Sequence, residues 1–191
     1  MRIANDAYRL GMKVYGYDPY VSIEAAWNIS HHVKRVSDLK EIFENCDYIT
    51  VHVPLTPDTK GTFNADAFSL MQKGTTIINF ARAELVENDA LFDALETGVV
   101  KRYITDFGTE ELLNKPNVTV FPHVGGSTSE AELNCAIMAA QTIRRFMETG
   151  EIVNSVNSPR VQQVLSAPYR ITLINKYVPN IVARISTAVS D

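Results

Sequence analysis

The sequence predicts an α/β protein built on a doubly wound parallel sheet, and three kinds of observation predict it. Apolar, β-branched runs at residues 48–53, 75–80, 102–105 and 118–121 have the composition of strands buried on both faces. Helical patterns of about ten residues alternate with them, as a parallel sheet with crossover helices requires. Charged or glycine-rich turns follow the ends of the strands, where open α/β sheets place their ligands.

The elements follow in order. Residues 3–10 read as a helix that Gly11 terminates. Residues 13–17 form a short strand ending at Asp18-Pro19, so the chain opens in the middle of a βαβ unit. A helix near 23–28 and a strand at 32–36 come next. Ser37 is the expected cap of a helix over 38–45, whose Leu39, Ile42 and Phe43 share one apolar face. Strand 48–53 is closed by Pro54; helix 65–71 and strand 75–80 follow. Glu87 or Asn88 starts a helix through Leu95 that Gly98 closes. Strand 102–105 ends at Asp106, and strand 118–121 is the last of the set. Ser127 or Thr128 caps a long helix over 129–149, broken by Gly150. Residues 154–159 are polar and turn-rich, which suits a linker. Residues 169–175 alternate like a strand, and Pro179 suits the first turn of a helix running to the end.

Composition narrows the function classes. A net charge of −4, with no basic stripe, argues against non-specific nucleic-acid binding. Cys46 and Cys135 lack metal-site spacing and read as reduced thiols, and no metal site is expected. No apolar run reaches membrane-spanning length and no signal-peptide pattern opens the chain, so a cytoplasmic protein is expected.

Four positions could carry chemistry. Asp18, after an early strand, could accept two hydrogen bonds from a ribose diol and repel a 2′-phosphate. Arg82, after strand 75–80, could bind a carboxylate in a bidentate fork. Asp106, followed by Glu110 and Glu111, stands at the end of a third strand, and a carboxylate beside His123 would orient its imidazole for acid–base work. His123 ends a fourth strand, followed by Gly125-Gly126, where a ligand can come close to the backbone. Singly, each has an ordinary reading as turn chemistry or a solvated loop side chain. Convergence of an arginine, an acid and a histidine on one sheet edge favours a site.

These positions lie in Val14-Tyr15-Gly16-Tyr17-Asp18, His52-Val53-Pro54-Leu55-Thr56, Ile78-Asn79-Phe80-Ala81-Arg82 and Phe121-Pro122-His123-Val124-Gly125-Gly126-Ser127-Thr128. With these motifs the chain resembles, from Ile3 to about Pro159, the Rossmann-like nucleotide-binding half of the D-2-hydroxyacid dehydrogenases, most closely the phosphoglycerate dehydrogenases. The resemblance implies an NAD-dependent oxidation of a D-2-hydroxy acid, 3-phosphoglycerate above all, on the route to serine. It implies that His123 takes the hydroxyl proton, that Arg82 grips the carboxylate and that Glu110 pairs with His123. Asp18 would hold the adenosine ribose and Asp106 would lie near the nicotinamide amide. Val53, Pro54, Phe80, Ala81, Val124, Gly125 and Gly126 would line the cofactor, bordered by Arg82 and His123. It also implies a homodimer or higher homo-oligomer.

Three departures accompany the resemblance. The family's Asp-Val-Phe-x-x-Glu-Pro is here Asp106-Phe107-Gly108-Thr109-Glu110-Glu111, one residue shorter and without the proline. Aligning on Phe-x-Thr-Glu selects Glu110 and counting from Asp106 selects Glu111; Glu110 is the expected partner. Ala83 stands where glycine is common. Residues 168–191 resemble the opening of an ACT regulatory domain, but Asn175 and Tyr177 stand where the effector-binding histidine and asparagine would be. The expected division is thus an NAD-binding domain over 1–128, a long helix and linker over 129–159 returning toward a substrate domain, and a partial ACT-like segment over 160–191.

The glycine-rich phosphate loop expected before Ile3, and the segment that would hold a substrate phosphate, are not in the sequence. The expectation is therefore a window of a longer enzyme, without measurable turnover by itself. The alternative is a non-catalytic remnant that binds or oligomerises.

Overall fold

Capping side chains and apolar spacing set the elements of the first half of the chain. Helix α1 (Arg2–Arg9) is followed by β1 (Tyr15–Gly16), α2 (Ile23–Trp27) and β2 (Lys34–Arg35). Helix α3 (Leu39–Asn45) precedes β3 (Tyr48–Val51), and α4 (Ala65–Leu70) precedes β4 (Thr75–Asn79). A 3-10 turn at Ala83–Leu85 leads to α5 (Asn88–Glu96), β5 (Val100–Thr105), α6 (Glu110–Leu113) and β6 (Val118–Val120). The computed structural model describes residues 1–162, 166–176 and 178–190, and the chain divides into two compact units, Met1–His123 and Val124–Asp191.

In the first unit β3, β4, β5 and β6 form one parallel sheet in chain order, with Ile49 opposite Ile77, Ile77 opposite Tyr103 and Tyr103 opposite Val118. Each crossover carries a helix, so every strand ends at the same edge. Strands β1 and β2 pair in parallel as a separate two-stranded sheet. One continuous sheet was expected; among the described residues β1 and β3 share no ladder, and a sheet is continuous only where backbone groups pair.

Burial on both faces, expected for all four strands, holds for β4; β3, at the edge of the sheet, alternates, with Ile49 and Val51 buried and Tyr48 and Thr50 exposed. Ile77, Leu85, Leu91 and Val100 are fully buried, together with Phe43, Phe63 and Phe68 from α3, the segment before α4, and α4 itself. The Phe43 and Phe63 rings meet edge to face, centroids 5.5 Å apart. Helix α3 is capped by Asp38 rather than Ser37: the Asp38 carboxylate accepts from the Lys40 N–H at 2.9 Å, because the helix begins one residue later than the pattern suggested.

In the second unit α7 (Ser129–Thr149) is capped by Thr128, whose Oγ1 accepts from the Ala131 N–H at 3.2 Å. Gly150 ends it at φ +69, and an isolated antiparallel bridge joins Ile152 to Val161 across the polar turn between them. The strand expected at 169–175 is not formed. Arg170 and Thr172 instead bond the carbonyls at the end of α7, Thr149 and Gly150, and an extended segment with no ladder partner does not make a sheet. Tyr177 lies outside the described residues. Helix α8 (Ile181–Ser190) begins two residues after Pro179, which sits in the preceding turn. No helix among the described residues is long and apolar enough to cross a membrane.

Candidate functional site

Because the strands of the larger sheet are parallel and in chain order, their carboxyl ends deliver His52-Val53-Pro54 after β3, Phe80-Ala81-Arg82 after β4, Asp106 after β5 and His123 after β6 to one edge. Phe80 and Phe121 meet edge to face across that edge, ring centroids 6.1 Å apart. Arg82 and His123 follow strands two spacings apart, about 10 Å, with the end of β5 between them.

The central contact is between the ends of inner strand β5 and edge strand β6. His123 Nδ1 lies 2.9 Å from Asp106 Oδ2, and the Phe107 ring packs against the imidazole, centroids 5.0 Å apart. The backbone pairing that makes this possible is local: the Phe121 N–H donates to the Thr105 carbonyl at 2.8 Å, so the residues just beyond β5 and β6 stay neighbours. A carboxylate on Nδ1 fixes the tautomer with hydrogen there and leaves Nε2 as the free basic nitrogen. His123 is well exposed while Asp106 is only 13% exposed, so the acid is the anchored partner and the imidazole the presented one.

Glu110 was expected in that place, and the structure puts Asp106 there. The reason is the short helix α6. Thr109 caps it by accepting from the Leu112 N–H, which makes Glu110 its first residue; the Glu110 carbonyl then takes the Asn114 side chain at 3.3 Å. Among the described residues no ion pair reaches Glu110. Glu111, the other candidate, accepts from the Asn88 side chain at 3.4 Å. Asp106 needs no such detour, since it follows β5 directly.

The second oxygen of the same carboxylate is informative. Asp106 Oδ1 is buried and has no hydrogen-bond partner among the described residues. A buried acceptor left unmatched costs free energy, so this atom suits an N–H or O–H of a bound molecule. The donor required is what a cofactor carboxamide would offer, and the residue present fits that group.

The remaining positions stand as follows. Arg82 is exposed, and its guanidinium Nη1 donates to the Ala81 carbonyl at 2.6 Å, so the fork lies over its own turn. Asp18 follows β1, in the smaller sheet; its Oδ1 accepts from the Tyr20 N–H at 2.9 Å, the turn chemistry an aspartate before proline commonly makes. Val53 and Pro54 are exposed on a loop held by the Thr59 hydroxyl, which donates to the Pro54 carbonyl at 2.7 Å. Gly125 and Gly126 are exposed, and a Cβ added at either would meet nothing within 4 Å. They belong to the second unit and are described only within it.

His52 was quoted only as part of a motif. Its Nε2 lies 2.9 Å from the Thr50 hydroxyl, and burial lowers its pKa below the ordinary histidine value. Asn79 and Tyr103, both buried beneath the edge, were also missed. A polar residue closing an otherwise apolar strand was the signal for Asn79; nothing in the sequence distinguished Tyr103 from a core aromatic.

Comparison with known proteins places this geometry. The chain is 34% identical over 168 residues to D-3-phosphoglycerate dehydrogenase of Methanocaldococcus jannaschii, covering 85% of this chain and 32% of that one. It is 37% identical over 177 residues to the chloroplastic D-3-phosphoglycerate dehydrogenase 2 of Arabidopsis thaliana, covering 87% and 28% respectively. The chain thus spans about a third of the length of these curated relatives. Among solved structures, the NAD-bound 3-phosphoglycerate dehydrogenase of Entamoeba histolytica superposes with a TM-score of 0.66 at 28% identity, covering 82% of this chain and 51% of that one. Residues 1–125 match the family described as D-isomer specific 2-hydroxyacid dehydrogenase, NAD binding domain, and the chain belongs to that family.

Proposed function

We propose that the protein contributes the cofactor-binding and proton-transfer portion of an NAD-dependent dehydrogenase acting on a D-2-hydroxy acid, 3-phosphoglycerate above all, which it converts to 3-phosphohydroxypyruvate on the route to serine. The observation that carries the reading is the Asp106–His123 pair, 2.9 Å apart at the carboxyl edge of a parallel sheet, with Arg82 on a neighbouring strand. Bound NAD supplies the hydride acceptor. Nε2 of His123 takes the hydroxyl proton as the C2–H bond breaks and the C2–O double bond forms, and the Asp106 carboxylate stabilises the imidazolium that results. Arg82 turns away from the Ala81 carbonyl to hold the substrate carboxylate through its planar fork. Asp106 Oδ1 accepts from the cofactor amide, and Asp18 holds the ribose and favours NAD over NADP.

The substrate class is supported by the names of the curated relatives. In the same reading residues 1–128 hold the cofactor, the helix and linker over 129–159 return toward a substrate domain, and residues 160–191 are a partial ACT-like segment. Self-association is part of the reading as well: Leu133, Ile137, Ile143, Phe146 and Met147 of α7 are exposed, apolar surface that a second copy would cover.

The test is a substrate and cofactor screen with the purified protein in its native full length. Oxidation of D-3-phosphoglycerate with NAD, faster than with NADP and absent with the L-acid, is the expected result. Activity confined to another D-2-hydroxy acid would replace the substrate; activity with L-acids alone would overturn the site reading.

A further inference from the structure

Beneath the site edge lies a buried hydrogen-bond chain that the proposed mechanism does not use. Asn79, the last residue of β4, is fully buried in a strand that is otherwise apolar or threonine. Its Oδ1 accepts from the N–H of Ala81 at 3.1 Å and of Arg82 at 3.4 Å. Its Nδ2 donates to the Arg82 carbonyl at 2.8 Å and to the Tyr103 hydroxyl at 3.2 Å. An amide offers two donors and two acceptor lone pairs, so every capacity of this side chain is engaged. Three of the four bonds go to the backbone of Ala81 and Arg82.

The chain continues across the sheet. Tyr103 is 2% exposed and stands in β5 two residues before Thr105. Burial pushes the Tyr103 pKa up, which keeps the hydroxyl protonated. Thr105 is fully buried, and its Oγ1 accepts from the Phe107 N–H at 3.1 Å. The residue between Thr105 and Phe107 is Asp106. Two buried side chains therefore order these turns: Asn79, joined to β5 through the Tyr103 hydroxyl, holds the turn that carries Arg82, and Thr105, at the end of β5, holds the turn that carries Asp106. An apolar residue at position 79 would fill similar volume but leave the Arg82 turn without its template, and buried networks of this kind hold a single geometry only while fully satisfied.

We propose that Asn79 is the positioning residue for Arg82, and that the Tyr103 hydroxyl ties it to β5, so that the arginine and the Asp106–His123 pair are held in register through that strand. The inference rests on the reading of Arg82 as the group that holds the substrate carboxylate.

Two variants and two readouts test it. Tyr103→Phe removes the cross-strand link while keeping the ring in the core, and Asn79→Asp keeps the acceptor oxygen while removing both donors. Each is expected to raise KM for the hydroxy acid by about tenfold, the scale of one buried hydrogen bond, with NADH affinity near wild type and Tm lowered only by the buried group left unpaired. Hydrogen exchange at the Ala81 and Arg82 amides is expected to speed up in Asn79→Asp. Unchanged KM and unchanged exchange in both variants would overturn the proposal. So would a joint loss of KM, NADH affinity and Tm, which marks a core defect rather than positioning. Arg82→Lys, measured alongside, separates the two claims. If it leaves KM unchanged, the carboxylate reading fails, and the exchange rates alone then decide whether Asn79 orders the turn.

Discussion

Asp106 presents one oxygen to His123 and buries the other, and the consequences of that division are measurable residue by residue. Asp106→Asn keeps the shape but loses the charge that stabilises an imidazolium and allows the wrong tautomer. In a histidine–carboxylate pair of this geometry such a change costs about 10²-fold or more in kcat. Glu110→Gln is expected to cost less, because no ion pair reaches Glu110 among the described residues. Steady-state kinetics on the two variants checks the order, and the reverse order would return the role to Glu110. Arg82→Lys should raise KM for the acid sharply, since an ammonium cannot reproduce the planar fork; a neutral result would mean that the carboxylate is held elsewhere. His52 gives a pH effect. Its pKa is lowered by burial from the ordinary 6.5, so below that pH the unfolded chain binds a proton that the folded one refuses. Stability is therefore full above pH 6.5 and falls as the pH drops through the lowered value. In melting curves over that range His52→Asn should show a flatter acid limb than wild type; equal limbs would exclude His52 as the cause.

At the scale of elements, how much could be read depended on how far each element is specified locally. Helix α7 was legible to the residue, because Thr128 caps it, Gly150 ends it and twenty-one helical positions separate them. Strands β3 to β6 were legible as strands, though the ladders of β3, β4 and β6 stop short of the apolar run and β5 begins at Val100, two residues before it. Helix α6 was not legible: it has four residues and starts at the Thr109 cap, with Glu110 as its first residue. The segment 169–175 failed for the opposite reason, having strand composition but no partner to pair with. In the site, Asp18, Arg82, Asp106 and His123 could be found as polar residues closing apolar strands, whereas which acid meets the histidine depended on a register that only the fold supplies. Two substitutions test the elements. Leu91→Ala, in the fully buried face of α5, should cost about 2–5 kcal/mol in chemical denaturation. Gly150→Ala should destabilise the end of α7, because a Cβ there would stand 2.9 Å from Thr172 Oγ1 on a backbone already at φ +69. A loss for Leu91→Ala well under 1 kcal/mol, or a gain for Gly150→Ala, would contradict these packing assignments.

For the whole molecule, the parallel sheet supplies one edge, and Arg82, Asp106 and His123 are placed on it by three successive strands of that sheet. The buried hydrogen bond from Asn79 to Tyr103 links two of them. The chemistry assigned to that edge depends on His123 as the group that moves the proton. The most direct measurement compares wild type with His123→Ala in the NADH-dependent reduction of the 2-oxo acid, with NADH binding followed by fluorescence in the same samples. Loss of about 10²–10⁴-fold in kcat, with NADH still bound at similar affinity, is the expected result. An unchanged kcat would remove His123 from the reaction, and with it the role given to Asp106.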